Sequence, residues 1–155
     1  MPRGRTPHTP GFDVLVLSVA NDVQRRYAER MLDLRARLGA LPPGLETVVL
    51  ADPAGRRIGS GGSTLLCLQA IAANGGIAGR RALVLHSGGD SRRLPSWSAM
   101  GKIWVPLERR GRGSDAARGT RPTRGLEARP AIGPAGAPAL FDLILTELSR
   151  LALPA

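Results

Sequence analysis

The feature that most constrains this chain is a short apolar run that leads into a polar loop with paired glycines. The run covers residues 82–85 (ALVL), and an apolar run of this length next to glycines is typical of a strand buried in a parallel sheet. The loop after it contains Gly88, Gly89, Asp90 and Ser91. Because glycine has no Cβ and tolerates positive φ, such a loop can turn bare backbone N–H groups toward an anion.

Basic residues follow this loop closely. Arg92 and Arg93 come directly after it, and Lys102 lies nine positions beyond Arg93. Guanidinium and ammonium groups at this position would bring full positive charges to a bound phosphate. The spacing alone leaves a second interpretation open, which is an ordinary turn after a strand with solvated arginines.

The residues and spacing of these motifs resemble those of one family of enzymes. G-G-x-S-x-R-L-P followed by G-K-x-x-x-P is similar to the nucleotide-binding signature of sugar-1-phosphate nucleotidyltransferases. HSGGDSRRLP, with GSGGSTL upstream and FDLILTEL downstream, is closer still to the N-terminal guanylyltransferase part of the bifunctional fucokinase/fucose-1-phosphate guanylyltransferases. The resemblance covers residues 12–107 and 139–151, which correspond to only the opening portion of that region.

The resemblance implies a reaction and a set of site residues. The reaction is guanylyl transfer from GTP to fucose 1-phosphate, giving GDP-fucose and pyrophosphate, with Mg²⁺ as the cofactor and its ligands not identified. Arg93 and Lys102 take the catalytic positions, and residues 88–92 bind the nucleotide. Since the later parts of such enzymes are missing, we expect a fragment that is inactive alone and whose partners include the remainder of the enzyme.

A second glycine-rich segment lies upstream, at residues 59–64, where it opens a predicted helix. It is not a P-loop, because no Gly-Lys-Ser/Thr follows, and a capped helix start is the alternative on sequence alone. The N–H groups and dipole of a helix start also favour anions. By the resemblance, this segment is a secondary phosphate- or base-binding loop made of Gly59, Gly61, Gly62, Ser63 and Thr64.

Four other side chains could have either a structural or a functional role. His86 ends the strand beside the glycine loop, and we expect it to form local hydrogen bonds rather than to catalyse. Cys67 lies among leucines in a predicted helix and is expected to be a buried thiol. Trp97 and Trp104 could equally be core residues or stacking platforms for a base.

The order of the predicted elements indicates an α/β fold. Strands at 12–17, 47–50 and 82–85 alternate with helices, and residues 102–107 are a possible fourth strand. This alternation predicts Rossmann-like nucleotidyltransferase layers with a mainly parallel sheet, as part of an incomplete domain. The first helix, starting at Asn21, is predicted to bury an apolar stripe of Val23, Tyr27, Met31, Leu34 and Leu38. The second is predicted to be built on Leu65, Leu66, Leu68 and Ile71.

Composition divides the chain into four parts. Residues 1–11 are a predicted flexible tail, residues 12–107 the nucleotide-binding portion, and residues 108–138 an Arg/Gly/Pro-rich insertion predicted to be disordered. Residues 139–155 form the C-terminal helix of the same domain. Much of the net charge of +10 comes from arginines in the insertion.

The charge and the truncation leave two other classes of function open. One is a non-catalytic nucleotide-binding remnant or partner subunit, and the less favoured one is nucleic-acid binding through the Arg-rich stretch. A single cysteine fits a reducing, cytoplasmic compartment. No run of about 18 apolar residues predicts a membrane span.

Overall fold

The computed structural model describes residues 11–87, 95–107 and 138–151. Three parallel strands, β1 (Val14–Val19), β2 (Glu46–Ala51) and β3 (Ala82–His86), form a sheet in the order β2-β1-β3. Helix α1 (Asp22–Arg37) connects β1 to β2, and helix α2 (Gly59–Ala73) connects β2 to β3. The fold class predicted from the sequence, α/β with a parallel sheet, is confirmed.

Strand β1 is central, and both of its faces are buried. Leu15 and Leu17 belong to the core on one face, and Val14 and Val16 pack with Cys67 and other residues of α2 on the opposite face. A strand covered on both sides has no solvent-facing positions to fill with polar residues. This explains why its sequence, VLVLSV, is almost continuously apolar.

Helix α1 begins where the sequence predicts but turns a different face to the sheet. The side chain of Asn21 caps the helix by accepting a hydrogen bond from the Gln24 backbone N–H at 2.9 Å. The predicted apolar stripe is wrong in three of its five members, because Val23, Leu34 and Leu38 are exposed. The residues buried instead are Gln24, Ala28, Leu32 and Arg35.

The physical reason for this rotation lies in the partners of the two polar residues. Gln24 Nε2 donates to the Ser98 backbone carbonyl at 2.7 Å, and the Arg35 guanidinium pairs with a carboxylate of a distant helix. Buried polar groups are tolerated when they are hydrogen-bonded. The hydrophobic pattern of the helix contains no information about partners that are so distant in the sequence.

The apolar prediction for α2 is also only partly right. The buried residues of this helix are Ser63, Cys67 and Ile71, whereas Leu65 and Leu68 are exposed. The Cys67 thiol is fully buried, which confirms that prediction. Within the described residues, α2 is the helix that packs on this face, and Cys67 and Ile71 are its side chains buried against β1.

The predicted fourth strand does not form among the described residues. A 3-10 turn occupies Lys102–Trp104, and only an isolated antiparallel bridge joins Pro106 to Ala139. Pro106 has no N–H to give to a ladder, and Ile103 and Trp104 turn into the core. Residues 105–107 therefore pair with the start of the last helix, α3 (Leu140–Leu151), and not with the sheet.

Helix α3 packs on the same side of the sheet as α1. Phe141 and Leu145 are buried against Trp104, whose ring centroid lies 5.0 Å from that of Phe141. Among the helices that the structure describes, none is long and apolar enough to cross a membrane.

Candidate functional site

A cavity of about 240 Å³ lies between the carboxyl ends of the strands and the start of α2. The ends of β1 and β3 and the residue that follows β2 contribute to it, and so does the segment that leads into the helix. In open parallel sheets, ligands bind outside the carboxyl ends of the strands. Its polar and charged lining consists of Ser18, Asp52, Arg57, Ser60, Ser63 and His86.

The glycine-rich segment predicted to be a loop before a helix forms the first turns of that helix. α2 begins at Gly59, whose φ is +70°, and Ile58 at the preceding position provides no side-chain cap. Gly62 packs tightly, since a Cβ there would lie 2.8 Å from the Ile58 Cβ. The predicted residues Gly59 and Ser63 both line the cavity.

The hydroxyls of Ser63 and Thr64 are engaged within the protein. Ser63 Oγ donates to Asp52 Oδ1 at 3.0 Å, and Thr64 Oγ1 donates to the Ser60 carbonyl at 2.8 Å. The first bond ties α2 to the residue that follows β2. The second leaves the Thr64 oxygen only as an acceptor, because a hydroxyl has one proton.

His86 uses both ring nitrogens to join three elements, which confirms that it forms local hydrogen bonds. Nδ1 lies 2.7 Å from Ser18 Oγ and Nε2 lies 3.1 Å from Thr64 Oγ1. Since Thr64 can only accept, Nε2 carries the proton, and in the neutral ring Ser18 donates to Nδ1. The imidazole therefore holds the ends of β1 and β3 to the first turns of α2.

The predicted residues Gly88, Gly89, Asp90, Ser91, Arg92 and Arg93 lie outside the described residues, but the segments on either side of them are defined. The Ser87 N–H donates to the Ser18 carbonyl at 2.8 Å, which extends the pairing of β3 with β1 by one residue. Gly101 lies against Ser87: a Cβ on Gly101 would be 3.2 Å from Ser87 Oγ. Lys102 follows it and is exposed. The fold thus brings the backbone of Lys102 close to the start of the glycine loop.

Asp52 and Ser18 line the cavity but belong to none of the motifs that the sequence analysis identifies. Each of them directly follows an apolar run. The rule that binding sites lie at the carboxyl ends of parallel strands could therefore have identified them. Gln24 also belongs to none of these motifs, since its bond to Ser98 depends on a chain segment 74 residues away.

The charged groups of the site do not form a metal centre by themselves. Within residues 11–87, 95–107 and 138–151, no group of three or more His, Cys, Asp or Glu side chains is placed to hold a metal ion. Asp52 is the carboxylate that lines the cavity, and it already accepts a hydrogen bond from Ser63.

A second cavity, of about 310 Å³, lies between α1 and β2. Glu29 and Asp33 contribute carboxylates to its wall, together with apolar residues such as Leu32 and Val49. These carboxylates would repel an anionic ligand. The cavity at the carboxyl edge is therefore the better candidate for a nucleotide.

A parallel α/β sheet whose strand ends and helix start enclose a polar cavity is the architecture of part of a Rossmann-like nucleotidyltransferase domain. Comparison with curated proteins narrows this class. The chain is 38% identical over 98 residues to a fucose-1-phosphate guanylyltransferase of Mus musculus. It is 33% identical over 120 residues to a bifunctional fucokinase/GDP-fucose pyrophosphorylase of Arabidopsis thaliana, and 37% identical over 65 residues to an L-fucokinase/L-fucose-1-P guanylyltransferase of Bacteroides fragilis.

These matches confirm the recognition made from the motifs: the chain is similar in sequence to part of the fucose-1-phosphate guanylyltransferases. They cover 62%, 63% and 37% of this chain, and the chain spans 17%, 11% and 7% of the respective relatives. The chain thus corresponds to a small part of these proteins. No family model and no solved structure matches it.

Proposed function

We propose that this chain is the nucleotide-binding portion of a fucose-1-phosphate guanylyltransferase and that it binds GTP at the carboxyl edge of its sheet. The observation that supports this best is the close approach of Gly101, which precedes Lys102, to Ser87, which directly follows His86 of the cavity wall. The glycine loop of the family signature starts at this point. The relatives are named for an activity on fucose 1-phosphate. We extend that activity to the complete protein of which this chain would be a part.

In the proposed reaction, a phosphate oxygen of fucose 1-phosphate attacks the α-phosphorus of GTP in line, and pyrophosphate leaves from the opposite side. The contribution of the protein is to position the reactants and to neutralise charge, which backbone N–H groups, Arg93 and Lys102 would do. Mg²⁺ would accompany the triphosphate. Because the described residues offer no ligand cluster for it, we assign it no residues and no step.

The nearest test is calorimetric titration of the purified chain with GTP and Mg²⁺. We expect binding without turnover, and we expect Lys102→Ala to weaken it at least about tenfold, since a charge-assisted hydrogen bond contributes roughly 1.5–3 kcal/mol. Arg26→Ala is the matched control, because it removes one positive charge from an exposed position on α1. Equal affinity of the Lys102→Ala variant and the control would contradict the site assignment.

The same substitution has a larger expected effect where the chemistry is complete. In a full-length guanylyltransferase that carries this sequence, Lys102→Ala or Arg93→Ala should lower turnover by about a hundredfold, as removal of a preorganised donor costs roughly 2.7–4 kcal/mol. Product formation by the isolated chain would show that it is more than a binding portion. We place the protein in the cytoplasm, where its single cysteine would stay reduced.

A further inference from the structure

The cavity at the carboxyl edge is small compared with sites that enclose a whole ligand. Its volume is about 240 Å³, and sites that enclose a complete drug-sized ligand usually measure roughly 300–1,000 Å³. It is therefore suited to one part of the nucleotide, with the remainder lying outside. The question is which part its chemistry would accept.

Asp52 and Arg57 both line this cavity, and the Asp52 carboxylate disfavours a phosphate placed directly against it. An ionised carboxylate only accepts hydrogen bonds, and its negative charge repels another anion. Asp52 Oδ1 accepts one bond, from Ser63 Oγ at 3.0 Å, and a carboxylate has roughly four lone-pair positions in all. Ser63 is buried, so this bond holds the carboxylate in a defined orientation beside the cavity. The ligand group that fits directly against this carboxylate is one with two adjacent donors.

The spacing of the strands places this carboxylate at a useful distance from the glycine loop. Asp52 follows β2 and its N–H donates to the Val19 carbonyl, whereas Ser87 follows β3 and its N–H donates to the Ser18 carbonyl. The two residues thus lie at the same edge of the sheet, two strands apart, which is about 10 Å. A nucleotide whose phosphates lie at the end of β3 would extend along this edge and bring its base to the end of β2.

We propose that this cavity holds the guanine base, and that the Asp52 carboxylate selects guanine by accepting hydrogen bonds from its N1–H and its 2-amino group. This inference rests on the proposed function. Guanine presents the two adjacent donors that the carboxylate requires. Adenine presents an acceptor, N1, at the corresponding position, so Asp52 would disfavour ATP.

The substitution Asp52→Asn tests this by changing the hydrogen-bond pattern while retaining the shape. An asparagine carbonyl can still accept the bond from Ser63, and its NH₂ group now donates. Guanine would then face a donor with its own amino group. Xanthine, which has N1–H and a carbonyl oxygen at position 2, would match the asparagine amide.

The experiment is calorimetric titration of the wild-type chain, Asp52→Asn and Asp33→Asn with GTP, ITP and XTP in the presence of Mg²⁺. Asp33 is a matched control because it is an exposed carboxylate on α1, at the other cavity. We expect the wild type to bind GTP roughly tenfold or more tightly than ITP, which lacks the 2-amino group, and more tightly than XTP. We expect Asp52→Asn to reverse the order of GTP and XTP, and Asp33→Asn to retain it.

The readout is the ratio of affinities, because removal of a negative charge can strengthen the binding of every triphosphate equally. An unchanged ratio of GTP to XTP in Asp52→Asn would overturn the inference and leave the proposed function standing. If Asp52→Asn does not fold, equal affinities of the wild type for the three nucleotides would overturn it. Absence of binding by any triphosphate to the folded wild type would overturn both proposals.

Discussion

Gly101 shows how much of the site depends on a single residue without a side chain. Its φ of +90° lies in the region that L-residues rarely adopt, and a Cβ would lie 3.2 Å from Ser87 Oγ. Ser87 is itself buried next to the start of the glycine loop. Gly101 therefore allows the turn that holds Lys102 to approach the end of β3.

Replacement by alanine is therefore predicted to change stability in opposite directions at two glycines. Gly101→Ala should destabilise the fold by about 1–3 kcal/mol, because it combines backbone strain with the close approach to Ser87. Gly61→Ala should stabilise it by roughly 0.5–1 kcal/mol, since Gly61 lies within α2 and a Cβ there would meet no atom within 4 Å. Urea denaturation of both variants measures the difference, and destabilisation by Gly61→Ala would contradict the helical assignment of the glycine-rich segment.

The buried thiol of Cys67 predicts a pH dependence of stability. Burial raises the pKa of Cys67 above its ordinary value of about 8.5, because the thiolate is poorly solvated among Val14, Val16 and Ile71. The folded state then retains the proton more firmly than the unfolded state. This contribution is fully present below about pH 8.5 and is lost as the pH rises toward the raised pKa.

The measurement is the free energy of unfolding between pH 7 and pH 10, with Cys67→Ala as the comparison. The wild type should lose stability above about pH 8.5 to a greater extent than Cys67→Ala, whose side chain does not titrate. Identical pH profiles would show that the thiol of the folded chain is solvated. In the native state, the thiol should also react slowly with an alkylating reagent.

At the scale of elements, α1 and α3 are joined by a buried ion pair that spans 107 residues of sequence. Arg35 Nε and Nη2 donate to the two carboxylate oxygens of Asp142 at 2.7 and 2.8 Å, and the Arg35 side chain is fully buried. The guanidinium carbon also lies 4.9 Å from the centre of the Trp104 ring. Bidentate pairing and ring stacking together satisfy a charge that would otherwise be costly to bury.

Breaking this pair should cost far more than breaking an exposed one. Asp142→Asn leaves the buried guanidinium uncompensated, and we expect a loss of about 3–5 kcal/mol. Glu147→Gln, which removes a carboxylate from the exposed pair with Arg150 on α3, should change stability by less than about 1 kcal/mol. Denaturation followed by circular dichroism compares the two, and equal effects would mean that α3 does not depend on Arg35 for its docking.

At the scale of the whole molecule, Leu107 and Pro138, which border residues 108–137, lie next to each other. The Leu107 N–H donates to the Pro138 carbonyl at 2.7 Å, and the Leu140 N–H donates to the Val105 carbonyl. Residues 108–137 lie outside the described residues and include seven arginines and three acids. Their predicted disorder and the predicted domain boundaries stay predictions.

The adjacency of these two ends predicts that the insertion can be removed. Replacement of residues 108–137 by a short Gly-Ser linker should leave the fold intact, and roughly 1–2 kcal/mol more stable because a shorter loop is easier to close. Binding of GTP should persist, whereas any salt-sensitive binding of nucleic acid should disappear with the arginines. Unfolding of the shortened chain would show that the insertion contributes to the core.

The sequence by itself determined the elements whose signals are local. The apolar runs of the three strands, the start of the first helix at Asn21 and the buried thiol in α2 were all predicted correctly, because burial and helix starts each leave a pattern within a few residues. The parallel arrangement also followed from the alternation of strands and helices. The resemblance to the guanylyltransferases was recognisable because each of its motifs is a short stretch of adjacent residues.

Only the tertiary structure decided which side chains face each other. The buried face of α1 depends on Gln24 and Arg35, whose partners Ser98 and Asp142 lie 74 and 107 residues away. The bond between Asp52 and Ser63 and the central position of His86 likewise require strand ends and a helix start to converge. The burial of apolar residues follows from the sequence pattern along one element. A polar group, in contrast, is buried only where a hydrogen-bond partner lies next to it, and the tertiary fold decides which partner that is.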